Sequence, residues 1–367
     1  MRLFIFELKK ILLGKRFSYT MLLLFAFIIG LYFRNVAFQD LVLEEQERGV
    51  IEYTQEAQSM LRALNQSPEN AEIKERINHL ATALNALYEW KPLIKSDDWQ
   101  MRLQKENAFL TSMISYKEAN GEFSIKSKEM QQTLAFNERL LSQGIQPNSE
   151  NYSIALPNFM KGITDLFVNV GALLILLLLV GDMISMEYEQ GSIRLLYTLP
   201  IKKSSILHAK WASAVVTYLL VTVSIYVMTW IAGTLIGTTG TFSYPVFMEN
   251  EKGISFISIA EYMQWSLLCT TSIVLFVFSL CLLISLFVKN SIVTLLIQAI
   301  ILIGGFFTLQ AMPIPAKSWV DPFQFVFAGI TVQQVGADWY QGVPIIILLT
   351  VIFYMFSLVK INKSSGF

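Results

Sequence analysis

Six long apolar blocks run along this chain, and polar stretches separate them. A helix that crosses a bilayer core needs about 20 apolar residues, with a range of roughly 17 to 25, and each block is close to that length. The pattern therefore predicts an all-α membrane protein with six transmembrane helices. The predicted spans are residues 17–33, 162–181, 211–236, 265–288, 291–309 and 343–359.

The composition agrees with a membrane protein. Hydrophobic residues make up 54% of the 367 residues and charged residues only 15%, whereas soluble proteins carry about 25% charged residues. The net charge is zero, so nothing indicates nucleic-acid binding. Cys269 and Cys281 lie roughly 18 Å apart on one helix, which is too far for a disulfide.

The positive residues predict that both termini are cytoplasmic, because Lys and Arg accumulate in short cytoplasmic segments. The short exterior segments carry only Lys252 and Lys317. The segment between the first two spans is long, and long translocated domains do not follow this rule. The cytoplasmic segments, with a tail at residues 360–367, carry Arg2, Lys9, Lys10, Lys15, Arg16, Arg194, Lys202, Lys203, Lys210, Lys289, Lys360 and Lys363.

Residues 1–16 have the pattern of an amphipathic helix. Its apolar face consists of Leu3, Phe4, Leu8, Ile11 and Leu12. Glu7, Lys9 and Lys10 are predicted to lie largely off that face, so the helix would rest in the inner membrane interface with its basic residues near anionic headgroups. A charged tail that only sets topology would explain the charges but not the apolar face.

Residues 34–161 are polar, contain no cysteine and are predicted to form a helical extracellular domain. One stripe follows the spacing of a packed helix: Ile73, Ile77, Leu80, Leu84 and Leu87. Ser67–Pro68–Glu69 is predicted to start that helix and Pro92 to end it, with further helices near 98–120 and 127–143. The domain is either a substrate lid or partner-binding surface, or a spacer or stabilising cap.

Two further exterior segments are predicted. Residues 237–264 form a loop. Residues 310–342 are too polar and too interrupted by proline to span, yet too apolar for a free loop. They indicate short interfacial or re-entrant helices with an aromatic belt that includes Trp319 and Trp339.

The spans are poor in ionisable groups. Asp165 and Asp182 lie at opposite ends of the second span, roughly 25 Å apart along a helix, so they cannot act as a pair. The absence of an ion site disfavours an ion-coupled carrier. Gln298, Thr270 and Thr271 are candidates for a cargo pathway, although hydrogen bonds within or between helices explain them equally well.

No sequence motif indicates an enzyme. The chain has neither a phosphate-binding loop nor a metalloprotease motif, and no metal ligands at characteristic spacing. We therefore expect no catalytic residues, metal or cofactor in this chain, and ATP-driven work would need another subunit.

Residues 182–210, between the second and third spans, form the most informative loop. Glu187 and Glu189 end a membrane helix, and Gly191 breaks it. Ser192 can cap a short helix that ends near Pro200. Such a helix could dock in a cleft of another protein; an ordinary interfacial turn with topogenic basic residues is the alternative.

At this loop the sequence resembles the permease subunits of type-2 ABC exporters. That family has an acid pair, a Gly-Ser or Gly-Thr, a Leu-Leu, a proline, a basic or small residue and a lysine entering the next span. The residues that match in this order are Glu187, Glu189, Gly191, Ser192, Leu195, Leu196, Pro200, Lys202 and Lys210. Six spans, an amphipathic start and an exterior insertion also agree with the family.

The resemblance implies a permease half that couples ATP hydrolysis by a separate cassette subunit to export. ATP and Mg would be bound by that partner, and a second permease half, identical or related, would complete the transporter. Cargo would be amphipathic or hydrophobic: a peptide, a lipid-like molecule or an antibiotic. The ATPase contact would comprise Glu187, Glu189, Gly191, Ser192, Arg194, Leu195, Leu196, Pro200, Lys202 and Lys203.

The cysteine-free exterior domain and the lack of an organelle signal favour a bacterial plasma membrane. The main alternative is a membrane-anchored sensor or scaffold whose exterior helices bind a ligand or a partner protein. An ion-coupled carrier is the third.

Overall fold

The computed structural model describes residues 2–68, 70–149, 151–198, 200–250, 253–313 and 317–363, and these are almost entirely helical. Glu69 and Lys252 lie outside the described residues. The helices are α1 Arg2–Leu12, α2 Lys15–Ala37, α3 Gln39–Asn65, α4 Ala71–Trp90, α5 Trp99–Glu118, α6 Ser127–Gln143, α7 Leu156–Val168, α8 Gly171–Val180, α9 Ser185–Glu189, α10 Ser192–Thr198, α11 Lys203–Ile236, α12 Ile259–Ser285, α13 Ser291–Ala311, α14 Lys317–Val320, α15 Ala328–Val335 and α16 Val343–Lys363. The strands are β1 Pro245–Asn250 and β2 Gly253–Ser258.

Six helical segments are long and apolar enough to cross a membrane, which confirms the predicted all-α membrane fold with six spans. Most boundaries differ from the prediction, and two of the differences fall at charged residues. The second segment continues to Glu189, and the third begins at Lys203 instead of residue 211. The sequence analysis placed these boundaries at charged residues. In the structure Glu187 and Lys210 lie within helices, and Asp182 lies between α8 and α9. Each of the three pairs with an opposite charge, which lowers the cost of placing it near the membrane.

The second span was predicted to start at residue 162 as one helix, but the chain is broken between α7 and α8. Val170 has a φ of 77° at the break, a conformation that β-branched residues rarely adopt. Its N–H donates to the carbonyl oxygen of Val326 at 3.1 Å, and Oδ1 of Asn169 accepts from the N–H of Gly329 at 2.9 Å. Val326 thus satisfies the N–H that the break exposes, and the Asn169 side chain in turn satisfies a backbone N–H in the first turn of α15.

The polar insertion folds around a core of its own, formed by α3 to α6. The stripe predicted for the second of these helices is buried at Leu80, Leu84 and Leu87. The predicted start of that helix was wrong: Asn70 caps α4, accepting from the N–H of Ile73 at 2.7 Å. Asn is as strong a cap as Ser, so the helix begins three residues later than the predicted cap implied.

Residues 237–264 contain a β-hairpin that the loop prediction missed. β1 and β2 pair antiparallel, with Val246 opposite Ile257. Phe136 of α6 packs edge-on against Tyr244 at 6.0 Å and also lies 6.0 Å from Phe256. The hairpin therefore joins the insertion to the apolar core of the spans.

The described part of residues 310–342 includes the end of α13 and short helical pieces before α16. Phe325, Val326, Ala328 and Val332 are fully buried, so this segment packs into the bundle. Trp339 stacks on Trp265 at 6.4 Å.

Candidate functional site

Chain ends and connections meet at one end of the helical bundle. The ends of α8–α9 and α12, the start of α11 and the end of α16 share a small apolar cluster of Ile184, Leu207, Leu282, Leu286 and Ile361. The helix α1 packs along α11 at the same end. Because the loop predicted to bind a partner also lies here, we describe this end as the candidate site.

A buried ion cluster forms the centre of this end. Nζ of Lys210 donates to Oε1 of Glu187 at 2.6 Å and to Oε2 of Glu7 at 3.1 Å. The side chain of Lys210 is only 1% exposed and that of Glu7 equally so. The carbonyl oxygen of Met183 lies 3.5 Å from the same ammonium, so all three of its donors have acceptors.

Two further basic residues tie the N-terminal segment to the second span. Nζ of Lys10 donates to Oε1 of Glu187 at 3.0 Å. Nη1 of Arg16 donates to Oδ2 of Asp182, also at 3.0 Å. Lys10 and Arg16 are about half exposed, whereas both acids are buried. Helix α1 is thus joined by charge to α9 and α11 at once.

The cluster corrects the sequence analysis at two residues, Glu7 and Lys210, and it encloses a third, Glu187. Glu7 was predicted to lie off the apolar face of α1, but it points into the bundle. Lys210 was treated as a basic residue of a cytoplasmic loop, but it is buried within α11. Glu187, predicted to contact the ATPase, is enclosed within the chain. The cluster pairs its acids with two lysines, which offsets part of the cost of burying these charges, while Oε1 of Glu7 and Oε2 of Glu187 make no hydrogen bond.

Glu189 also finds its partners inside the chain. Its carboxylate accepts from Oγ of Ser291 at 2.7 Å and from Nδ2 of Asn290 at 3.1 Å. It therefore fixes the start of α13 next to α9. Both acids of the loop motif serve contacts within this chain, and the exposed surface of the loop lies beyond them.

That surface is the short helix α10. Gly191 immediately precedes this helix and has a φ of 70°, a conformation in which glycine is strongly favoured. Ile193 is 6% exposed and packs against Ile206, while Leu195 is 70% exposed. The hydroxyl of Ser192 donates to the carbonyl oxygen of Glu187 at 3.4 Å, so it makes a different contact from the predicted cap.

The other predicted contact residues divide into two groups. Pro200 and Lys202 are exposed, and Lys203 is partly exposed at the first position of α11. The side chains of Arg194 and Leu196 lie outside the described part of the structure. The exposed part of the loop, among its described residues, thus centres on Leu195 and the segment that follows α10.

Gly191→Ala is expected to destabilise the protein by about 1–2 kcal/mol, because alanine resists the left-handed conformation. The matched control is Gly162→Ala in α7, where the added methyl group would meet no atom within 4 Å and should be neutral or mildly stabilising. Thermal unfolding of the two purified variants in the same detergent checks this. Equal melting temperatures would contradict the described turn.

The residues predicted for a cargo pathway are enclosed by the helices. Gln298 is fully buried, and its Nε2 donates to the carbonyl oxygen of Gly181 at 3.2 Å. Thr270 bonds to the Ser266 carbonyl oxygen of its own helix, and Oγ1 of Thr271 lies 2.9 Å from the hydroxyl of Tyr218. Their role in a pathway stays a prediction, and these contacts favour the alternative, hydrogen bonds within and between helices.

A cavity of about 470 Å³ lies beside this part of α12, between α11, α12 and α16. Ser272 and Ser279 line it from α12, and Trp211, His208 and Tyr354 from the neighbouring helices. Nε1 of Trp211 donates to Oγ of Ser279 at 3.2 Å. The walls are mainly apolar and include no carboxylate, lysine or arginine, so they suit an apolar molecule better than an ion.

Metal chemistry has no visible basis in the described ranges, which contain no group of three or more His, Cys, Asp or Glu side chains that could hold a metal. Cys269 and Cys281 are buried and unpaired.

The sequence analysis missed Glu7 and the role of Lys210, yet one signal for Glu7 was present. Glu7 follows Leu3 by four residues and precedes Ile11 by four, so it lies on the same helical line as these two apolar residues. A single acid within an apolar face indicates a buried partner of opposite charge. The partner itself comes from a distant part of the chain and could not be identified from local spacing.

Comparison with known proteins gives one clear match. The family described as "ABC-2 family transporter protein" matches residues 1–359, almost the whole chain. Neither the comparison with curated proteins nor that with solved structures returned a match.

Proposed function

This chain belongs to the ABC-2 transporter family, and we propose that it is a permease half which exports an amphipathic or hydrophobic cargo, driven by ATP hydrolysis in a separate cassette subunit. The observation that carries the proposal is α10, a short helix that exposes Leu195. A buried ion pair between Glu187, just before α10, and Lys210 of α11 holds this part of the chain in place. ATP and Mg are held by the partner. This chain contributes no catalytic residue.

The proposed contact differs from a flexible loop because it can transmit movement. Ile193 packs α10 onto Ile206 of α11, and Glu187 joins α9 to Lys210. A displacement of α10 by a closing ATPase would therefore move α9 and α11 together. Both helices belong to segments that span the membrane, so the displacement is transmitted to the spans. The driving force is ATP hydrolysis in the partner, and no ion gradient is needed.

The proposed contact surface comprises Leu195, Pro200, Lys202 and Lys203, with Arg194 and Leu196 completing it. Glu187 and Glu189 support this surface from within the chain. Both termini and α10 lie on the cytoplasmic side in this proposal, and the insertion is exterior. A bacterial plasma membrane is the proposed location.

A second permease half is part of the proposal, because six spans form only one side of a translocation path in this arrangement. Helix α13 leaves a broad apolar face exposed at Ile292, Leu296, Ile300 and Phe307, which lipid or the second half can cover. The cavity beside Ser272 and Ser279 is consistent with an apolar cargo.

Photocrosslinking tests the docking surface in cells. A benzoylphenylalanine placed at Leu195 is expected to yield, on irradiation, an adduct with an ATP-binding cassette subunit. The matched control is the same residue at Leu235, which is 79% exposed at the opposite end of α11 and should give no such adduct. Adducts from the exterior insertion alone, with none from Leu195, would favour the sensor or scaffold alternative.

A further inference from the structure

The insertion contains a cavity that the proposed transport mechanism does not use. It has a volume of about 540 Å³ and lies between α3, α5, α6 and the chain that returns from α6 to the membrane. Binding sites for small molecules have volumes of about 300–1,000 Å³. The cavity is therefore large enough for a ligand.

The charges on its wall are predominantly negative. Glu45, Glu106 and Glu129 line it together with one cation, Arg102. Nη1 of Arg102 donates to the carbonyl oxygen of Ile94 at 3.3 Å. Within the described residues, Glu106 has no cation at ion-pair distance. The wall thus offers carboxylates that a cationic ligand could pair with.

One buried donor on the same wall has no acceptor. Trp90 is 9% exposed, and its Nε1 makes no hydrogen bond in the structure. The amide of Asn137, which is 4% exposed, instead acts as a hydrogen-bond donor towards the Glu106 carboxyl. Buried donors are nearly always satisfied in proteins, so Nε1 of Trp90 indicates a bound acceptor such as a carbonyl oxygen.

Aromatic rings complete the wall. Tyr53 stacks on Phe109 at a centroid distance of 5.8 Å, and Trp90 lies 6.0 Å from Phe109. Such rings bind apolar groups and attract cations to their faces.

We propose that this cavity binds a short segment of a cationic amphipathic peptide, with its basic side chain at Glu106, a carbonyl oxygen at Nε1 of Trp90, and its apolar side chains on the aromatic wall. A free amine or an alkyl cation would satisfy the carboxylates but not the Trp90 donor. The site goes beyond the proposed function, because binding here does not require an ATPase at α10.

The charge state of Glu106 makes the site sensitive to pH. Burial raises the pKa of Glu106 to about 7, although Asn137 and Arg102 act in the opposite direction. The carboxyl is mostly protonated at pH 6 and mostly ionised at pH 8, so a cation should bind more tightly at pH 8. The titratable and polar groups that line the cavity together with Glu106 include Glu45 and Tyr53 of α3, Trp90 of α4, Arg102 of α5, Glu129 and Asn137 of α6, and Tyr152 of the returning chain.

Calorimetry on the full chain in phosphatidylcholine nanodiscs tests the proposal. The probe is the acetylated peptide amide Phe-Arg-Leu-Arg, and its citrulline analogue has the same shape without charge. The charged peptide is expected to bind at least tenfold more tightly at pH 8, and about tenfold more tightly at pH 8 than at pH 6. Glu106→Gln should remove the difference between the two pH values and reduce the difference between the two peptides, since Glu45 and Glu129 remain on the wall.

The control variant is Glu138→Gln, which neutralises an exposed acid of α6 that does not line the cavity, and it should bind as the wild type does. Absence of binding, equal affinity for both peptides, or an unchanged Glu106→Gln variant would each overturn the proposal. If Glu106→Gln fails to fold, the comparison of peptides and of pH values on the wild-type protein still decides it. A failure here leaves the photocrosslink at Leu195 unaffected, so the two proposals fail separately.

Discussion

Lys210→Met is expected to destabilise the protein by about 3–5 kcal/mol, because it leaves the carboxylates of Glu7 and Glu187 buried without the ammonium that pairs them. Lys10 reaches only Glu187 and is half exposed, so it cannot compensate for both acids. The expected result is a large fall in the melting temperature of the detergent-purified protein and in the fraction that elutes as a single species.

Two matched variants distinguish the effect of disrupting the buried ion cluster from the effect of removing any lysine. Lys202→Met removes an exposed lysine at the start of the same helix and should change the free energy of unfolding by less than about 0.5 kcal/mol. Combining Lys210→Met with Glu7→Gln and Glu187→Gln removes the buried charges together and should recover most of the stability. A Lys210→Met protein as stable as Lys202→Met would contradict the cluster.

Leu195→Asp is expected to weaken ATPase binding more than tenfold, while the fold stays intact. Leu195 is 70% exposed in the isolated chain, so the substitution costs the fold little. At the centre of a docking surface, replacement of an apolar anchor by a charge costs about 2 kcal/mol or more, which exceeds a tenfold change in Kd. The measurement is the amount of ATPase retained by the immobilised permease, together with the melting temperature.

The control places the same charge on a remote surface. Met101 is 40% exposed in α5 of the insertion, and Met101→Asp should retain the ATPase as the wild type does. If Leu195→Asp and Met101→Asp retain equal amounts, α10 is not the docking helix.

The spans could be predicted from the sequence because each is a local property. A run of apolar residues specifies a membrane helix regardless of what it packs against, and all six runs are helical segments in the structure. The stripe through Leu80, Leu84 and Leu87 was equally readable, since helical periodicity depends only on neighbours along the chain.

The features that the sequence analysis missed depend on contacts between distant segments. Glu7 and Lys210 are 203 positions apart, and neither reveals the other. The break at Val170 is held by the carbonyl oxygen of Val326, so a continuous apolar run gave no sign of it. The hairpin was missed for a similar reason: its residues pair with each other and pack on Phe136 of the insertion.

The sequence analysis named this loop but did not separate the residues that bind within the chain from those that are exposed. In a sequence, each acid or lysine at the end of a span is considered without its contacts, and it is then easily interpreted as a residue that binds a partner protein. In the structure Glu187 and Glu189 bind within the chain, and the exposed position is Leu195. Whether a residue of the motif is buried or exposed depends on the direction of its side chain from a short helix. The spacing of the motif does not specify that direction.

Purification from native membranes in mild detergent, with identification of the co-purifying proteins and an assay of ATP hydrolysis, tests the central claim most directly. The proposed function predicts a stoichiometric ATP-binding cassette subunit with ATPase activity, both lost from the Leu195→Asp variant and retained by Met101→Asp. A folded, pure preparation of this chain without an ATPase partner would contradict it.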